Sequence, residues 1–323
     1  VKYDAKSERD YETSLRLFER ARKLAPQRHE AYVEAIQILR RHGDKLDLPP
    51  SSLGEKNNGN KNHKPEIKTK PASASKLNTL IKQAIKYGAL QHSQQFPMHF
   101  VKGLPSKPWY SRKDLYEMGA SRIVKFLENK FHIIKDEIMK AYKSGILIDE
   151  SIEDTEGLTT EGKWTELNLY HLGRKFEKNC RVLPKTTAML EKIPEIVSQV
   201  KGATKISILQ PKTKIREHNG PSNTRLRLHL GIEVPDGASI TVGGIKKTWE
   251  EGKLLAFDDS FVHSVEHNGD APRIALIADI WHPLMTEDDI IGCLESDELE
   301  RYLYRQSLFS ENGVELEEEV APW

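Results

Sequence analysis

Lys205-Ile206-Ser207-Ile208-Leu209, Arg225-Leu226-Arg227-Leu228-His229-Leu230-Gly231, Leu254-Leu255-Ala256-Phe257 and Arg273-Ile274-Ala275-Leu276-Ile277-Ala278-Asp279-Ile280 are the segments whose reading decides the fold. Each is short and either apolar or alternating. Together with Ser239–Val242 they recur between Asn-Gly, Asp-Gly, Gly-Gly and Glu-Gly pairs, which is how tight turns join antiparallel strands. Many short strands separated by such turns predict a sandwich or jelly roll. Alternation puts Arg225, Arg227 and His229 on one face of their strand and Leu226, Leu228 and Leu230 on the other, so one face can line a polar cavity while the other fills a core.

Around these strands the chemistry-bearing residues follow a fixed order. His218 stands in His218-Asn219-Gly220, His263 closes Phe257-Asp258-Asp259-Ser260-Phe261-Val262-His263, and Arg273 precedes Trp281-His282-Pro283. Two imidazoles can bind a borderline metal and leave coordination positions open, and an arginine can pair bidentately with a carboxylate. The order points to an enzyme rather than to a generic β fold.

The rest of the chain frames that region. At 323 residues it has room for one large domain and a smaller one,. The formal net charge of +1 gives no overall field for nucleic acid or an anionic membrane surface,. No apolar run reaches bilayer length, and Val1–Lys6 carries no signal-peptide pattern,. The two cysteines, Cys180 and Cys293, form neither a disulfide framework nor a thiolate zinc site,. Residues 8–41 read as two amphipathic helices, the first stopped by Pro26 and the second ending near Gly43,. Gly54–Lys64 lacks apolar anchors and predicts a disordered insertion or linker,. Helical periodicity returns over Lys76–Leu90 and again over Ile123–Tyr142,.

The segment Trp164–Pro283 resembles the aspartyl/asparaginyl β-hydroxylase family of 2-oxoglutarate oxygenases. The resemblance rests on Trp164, Gly173-Arg174, Pro184-Lys185-Thr186, Ser207-Ile208, His218–Asn223, Arg225–Gly231, Thr248–Lys253, Phe257–Phe261, His263, Arg273 and Trp281–Pro283, and extends faintly back to Pro108-Trp109. It implies an α+β fold: a double-stranded β-helix (jelly roll) core buttressed by helices and preceded by a small helical repeat-like segment. The expected organisation is a tetratricopeptide-like hairpin over 1–48, a disordered linker or insertion over 49–76 and a connecting helix over 77–95. An oxygenase domain over 96–290 and a C-terminal extension over 291–323 complete it.

The activity implied is β-hydroxylation of Asp or Asn in a peptide or protein, using Fe(II) with 2-oxoglutarate and O2 as cosubstrates. By the same resemblance His218 and His263 hold the metal. Trp164, Ser207, Arg227, His229 and Arg273 hold 2-oxoglutarate, and Lys205, Arg225 and Asp259 meet the peptide. Gly220 stands where most such oxygenases place a third, acidic ligand,; the family carries glycine there too. Simpler readings stay open at single positions: a packed core histidine for His229, a turn-capping, solvent-facing aspartate for Asp259, and structural or exposed roles for His267 and His282.

Two departures matter. Cys180 matches one of a pair of cysteines in the animal enzymes, but Thr187 stands at the partner position, so that disulfide cannot form. The region of Thr159 lacks an arginine expected at the substrate entrance. Localisation is therefore divided between the endoplasmic reticulum, by resemblance, and the cytoplasm, because the pair is incomplete. Expected partners are an Asp- or Asn-containing peptide or protein, with no nucleic acid and no membrane segment in this chain. The rival activities are a hydroxylase or halogenase of a small molecule, the latter using the Gly220 gap for chloride, and an inactive helical-repeat scaffold.

Overall fold

The computed structural model describes residues 8–46 and 72–310, and the chain divides into two units between Phe100 and Val101. The first unit contains α1 (Glu8–Leu24), α2 (His29–Leu46) and α3 (Ala72–Lys86). Pro26 lies in the turn after α1, as expected. Gly43 does not end α2. A β-carbon there would lie 3.0 Å from Ser73 of α3, so glycine at this point admits the neighbouring helix rather than stopping its own. The start of α3 at Ala72 also corrects the upper end of the stretch over 49–76 expected to be disordered; residues 47–71 lie outside the described residues. The chain beyond α3 is fastened to α2 by His29. Its Nδ1 and Nε2 lie 2.7 Å and 2.5 Å from the carbonyls of Ala89 and Pro97, and its ring stacks on Phe100.

Among the described residues, thirteen strands lie in the second unit. They are β1 (Trp109–Tyr110), β2 (Ile152–Glu153), β3 (Thr159–Glu161), β4 (Trp164–His171), β5 (Arg174–Lys175), β6 (Ala203–Leu209), β7 (Thr213–His218), β8 (Arg225–Glu233), β9 (Ala238–Val242), β10 (Ile245–Lys247), β11 (Leu254–Phe257), β12 (His263–His267) and β13 (Arg273–Trp281). One sheet has the order β1-β11-β8-β13-β6-β4-β2, with β5 on β4, and the other β10-β9-β12-β7-β3. From β6 to β13 the chain passes repeatedly between the two sheets, and every neighbouring pair is antiparallel. That is a jelly roll, and with its helices the unit is α+β.

The alternation seen in the sequence decides what each sheet face does. Leu226, Leu228 and Leu230 of β8, Ile206 and Ile208 of β6, and Ile274, Leu276 and Ala278 of β13 share one core with Ile123, Leu127, Ile134 and Ile138. Those last four come from helices Ser121–Asn129 and Phe131–Lys143, which meet at Lys130 within the region where helices were expected. Each fully buried Leu or Ile contributes about 1.5–3 kcal/mol here. The opposite face turns inward, where Trp109, Leu209, Phe257, Ile240, Val242 and Val265 join the two sheets.

Within the C-terminal stretch, residues 291–310 pack on the jelly roll. Helix Ser296–Ser310 packs Tyr302 edge-on against Trp281, and Arg301 and Arg305 donate to the carbonyls of Leu172 and Gly173. The acidic stretch Glu315–Glu319 lies outside the described residues. Cys180 and Cys293 are free thiols, and the Thr187 hydroxyl donates to the Cys180 carbonyl at 3.3 Å. Among the described residues no helix is long and apolar enough to cross a membrane.

Candidate active site

The inward face of the larger sheet is where the alternation concentrates polar groups. β8 contributes Arg225, Arg227 and His229, β6 contributes Lys205 and Ser207, β4 contributes Trp164, and β13 contributes Arg273 and Asp279. From the smaller sheet, His218 at the end of β7 and His263 at the start of β12 are register partners. Their rings lie 4.1 Å apart between centroids.

Both histidines are held in the same way. Nδ1 of His218 lies 2.9 Å from the Arg216 carbonyl, and Nδ1 of His263 lies 2.8 Å from that of Phe261. A carbonyl only accepts, so in each neutral ring Nδ1 carries the proton and Nε2 keeps its lone pair. Burial, with Arg227 adding to it, holds both imidazoles below their ordinary pKa, and His218 lowers His263 further. This donor set, two neutral imidazoles with Nε2 bare, fits a borderline divalent metal such as Fe(II). Among the described residues no set of three His, Cys, Asp or Glu side chains converges as a ligand group.

Asp259 departs from expectation. Instead of facing solvent it is completely buried. Arg225 Nη2 reaches its Oδ2 at 2.6 Å and Arg227 Nη1 reaches the same oxygen at 3.3 Å. Turn chemistry places an aspartate in this loop, but two arginines on the facing strand draw its carboxylate inward. The same carboxylate explains Gly220. A β-carbon at Gly220 would lie 2.4–2.6 Å from the Asp259 carboxylate atoms, so the position where an acidic third ligand would stand has no room for any side chain. Gly220→Ala is expected to cost about 1–3 kcal/mol by overpacking, read as a lowered melting temperature. Gly220→Asp should cost at least as much, and should not tighten metal binding in a titration.

A partner of the arginines escaped the sequence reading. Asp279, also fully buried, is the register partner of Arg227 and takes its Nε at 2.7 Å and Nη2 at 2.9 Å. The Ala203 amide donates to it as well, at 3.0 Å. Burial alone pushes both carboxyls up, but Arg225 and Arg227 outweigh it and hold both below the carboxylate range. The four side chains form a neutral buried cluster. A lone Asp within Arg273-Ile274-Ala275-Leu276-Ile277-Ala278-Asp279-Ile280-Trp281 was the available signal for it.

Arg273 differs from the other two arginines. It is 2% exposed, makes no ion pair among the described residues, and its Nε has no hydrogen-bond partner. Its Nη1 reaches only the Ser207 carbonyl and hydroxyl, both at 3.3 Å, and that hydroxyl also accepts from the Trp164 indole at 3.0 Å. Burial, barely opposed by Glu166, pushes the guanidinium down to about 9. His229 is in a similar position: the Trp249 indole donates to its Nδ1 at 3.1 Å, while its buried Nε2 has no partner. Unsatisfied buried donors on neighbouring side chains, one of them cationic, make a receptor for an anion.

The structure thus brings together His218 and His263, the residues expected to hold a cosubstrate (Trp164, Ser207, Arg227, His229 and Arg273) and Arg225. Lys205 sits at the edge with its side chain 13% exposed, paired to Glu166 at 2.5 Å and over the Trp164 ring. His267 and His282 are structural and buried, not exposed; their Nε2 atoms face the carbonyls of Ala271 and Pro105.

Comparison with known proteins matches residues 128–283 to the family described as Aspartyl/Asparaginyl beta-hydroxylase. That match covers just under half of the chain. The human protein named Aspartyl/asparaginyl beta-hydroxylase is 38% identical over 216 residues, 64% of this chain and 27% of that protein. The mouse Aspartate beta-hydroxylase domain-containing protein 2 is 35% identical over 208 residues, 63% of this chain and 59% of that protein. The chain therefore spans about a quarter of the human family member. A solved non-heme alpha ketoglutarate dependent epimerase, SnoN, covers 45% of this chain and 71% of its own at 15% identity and a TM-score of 0.31. The jelly roll follows from the strand order of the two sheets, not from that likeness.

Proposed function

We propose that this chain is an Fe(II)- and 2-oxoglutarate-dependent dioxygenase that hydroxylates the β-carbon of Asp or Asn residues in a peptide or protein. The observation that carries the reading is Arg273: among the described residues it is a buried cation with no anion, beside a buried donor on His229 that also has no partner there. The family match over residues 128–283 supports the same conclusion. In this reading His218 and His263 hold the metal through Nε2. Arg273 receives the distal carboxylate of 2-oxoglutarate, and Ser207, Trp164, His229 and Arg227 complete its surroundings. When bound, iron and 2-oxoglutarate supply the O2 activation that inserts one oxygen atom into a C–H bond. The chain's own part is placement: donors fixed by neighbours, with little solvent.

Lys205, the most accessible of the three residues assigned to substrate, receives the target side chain or the peptide beside it. Arg225 and Asp259 stand behind it as buried support. A halogenase reading draws no support from Gly220, since the space beside this glycine is taken by the Asp259 carboxylate. The test is conversion of 2-oxoglutarate to succinate with Fe(II) and O2 across a panel of Asp- and Asn-containing peptides. The expected result is peptide-stimulated succinate with a peptide mass gain of one oxygen. No succinate with any peptide, together with no binding of 2-oxoglutarate to the metal-loaded protein, would leave the scaffold reading in its place.

A further inference from the structure

Trp249 lies between β10 and β11, is 3% exposed, and touches both unsatisfied donors of the site. Its indole N–H points at Nδ1 of His229, 3.1 Å away, with the two rings nearly parallel at 5°. Its face lies under Arg273, whose guanidinium carbon is 4.7 Å from the ring centroid. Phe257 meets the same imidazole edge-on, at 5.0 Å between centroids. The histidine ring is thus held by an aromatic on each of two sides, and only Nε2 is left without a partner.

The indole nitrogen is a donor and never an acceptor. Whatever it bonds must offer a lone pair, so Nδ1 of His229 is the unprotonated nitrogen. A neutral ring then carries its proton on Nε2, and burial with Arg227 and Arg273 nearby keeps the ring neutral. The tautomer decides the sign of the interaction: Nε2–H attracts a carboxylate, whereas a bare Nε2 lone pair repels one.

We propose that Trp249 is a positioning residue: by donating to Nδ1 it fixes His229 as an Nε2–H donor toward the cosubstrate carboxylate, while its face seats Arg273. This rests on the reading of the site as a 2-oxoglutarate receptor. Phenylalanine at 249 keeps the packing and the face under Arg273 but removes the N–H. Glutamine at 229 supplies an amide N–H near the Nε2 position that needs no tautomer control.

Two measurements test it. The first is nitrogen NMR of histidine-labelled protein, which reads the tautomer without any cosubstrate. Wild type should show His229 unprotonated at Nδ1 and protonated at Nε2, and Trp249→Phe should lose that preference. The second is calorimetric titration of 2-oxoglutarate into protein loaded with Mn(II) as a redox-silent metal. Trp249→Phe should weaken binding by about tenfold, the lower end for losing a hydrogen bond to a charged group. In a His229→Gln background the same substitution should change affinity by no more than about twofold.

A protonated Nδ1 in wild type overturns the proposal with no variant needed, which covers the case of a Trp249→Phe protein that does not fold. So does an unchanged dissociation constant in Trp249→Phe. A full tenfold loss in the His229→Gln background overturns it too, because Trp249 would then act by packing alone. Wild type that binds no 2-oxoglutarate while showing the Nε2–H tautomer rejects the functional reading and the cosubstrate role, and leaves only the Trp249–His229 bond standing.

Discussion

Asp279→Ala is expected to destabilise the protein by about 3–5 kcal/mol, the cost of breaking a buried charge pair by removing one partner. Asp279 has no exposed surface and is bonded twice by Arg227, with Arg225 3.7 Å away. Without it, two buried guanidinium groups share the single charge of Asp259, and the Ala203 amide loses its acceptor. The site cannot relax by rearranging chain around it: a β-carbon on Gly202 would already lie 2.5 Å from the Asp279 β-carbon, so backbone and carboxylate are fitted to each other. Urea unfolding of the metal-free protein measures the loss. The companion is Asp279→Ala with Arg227→Met, which removes the stranded charge together with its partner. It should be more stable than the sum of the two single variants predicts. A single-variant loss below about 1 kcal/mol would mean that solvent reaches the cluster and that its charges are individually dispensable.

The contrast between what sequence showed of this site and what it hid follows from the range of the forces involved. Alternation is local, so the shared face of Arg225, Arg227 and His229 could be read from one strand, as could the apolar face of Leu226, Leu228 and Leu230. His218, His263 and Arg273 were legible through their order. Asp259 and Asp279 were not, because their surroundings depend on register between strands far apart in sequence. Asp279 meets Arg227 only because β13 pairs antiparallel with β8, and Asp259 turns inward only because Arg225 and Arg227 oppose it. Residue type alone argued for a solvated turn. The same limit applies to Gly43, which looks like a helix stop until Ser73 of α3 is placed beside it. Trp249 was visible as a motif member, but its role needed the 3.1 Å approach to His229.

Arg273→Met is expected to weaken 2-oxoglutarate binding by about 100-fold or more, as expected for truncating one partner of a desolvated charge pair, while leaving the apo protein at least as stable as wild type. The two signs have one cause. In the apo state Arg273 is a buried cation without an ion-pair partner among the described residues, so the fold bears its desolvation. Its folded pKa, about 9, lies below the ordinary 12.5, so the folded state gives up the proton more readily than the unfolded chain does. The penalty is therefore at full strength below about pH 9 and is relieved as pH rises from there toward the unfolded value. Methionine fills similar volume with no charge, and the apo variant should gain about 1 kcal/mol at neutral pH, an advantage that narrows by about pH 10. Saturating 2-oxoglutarate should reverse the ranking, since at about 100 times its dissociation constant a ligand adds about 2.7 kcal/mol to the protein that binds it. Thermal melts of metal-loaded wild type and variant, with and without 2-oxoglutarate, check both halves. If the apo variant melts well below wild type, Arg273 is a structural residue whose charge the fold requires. If 2-oxoglutarate stabilises both proteins equally, its carboxylate is held somewhere other than Arg273.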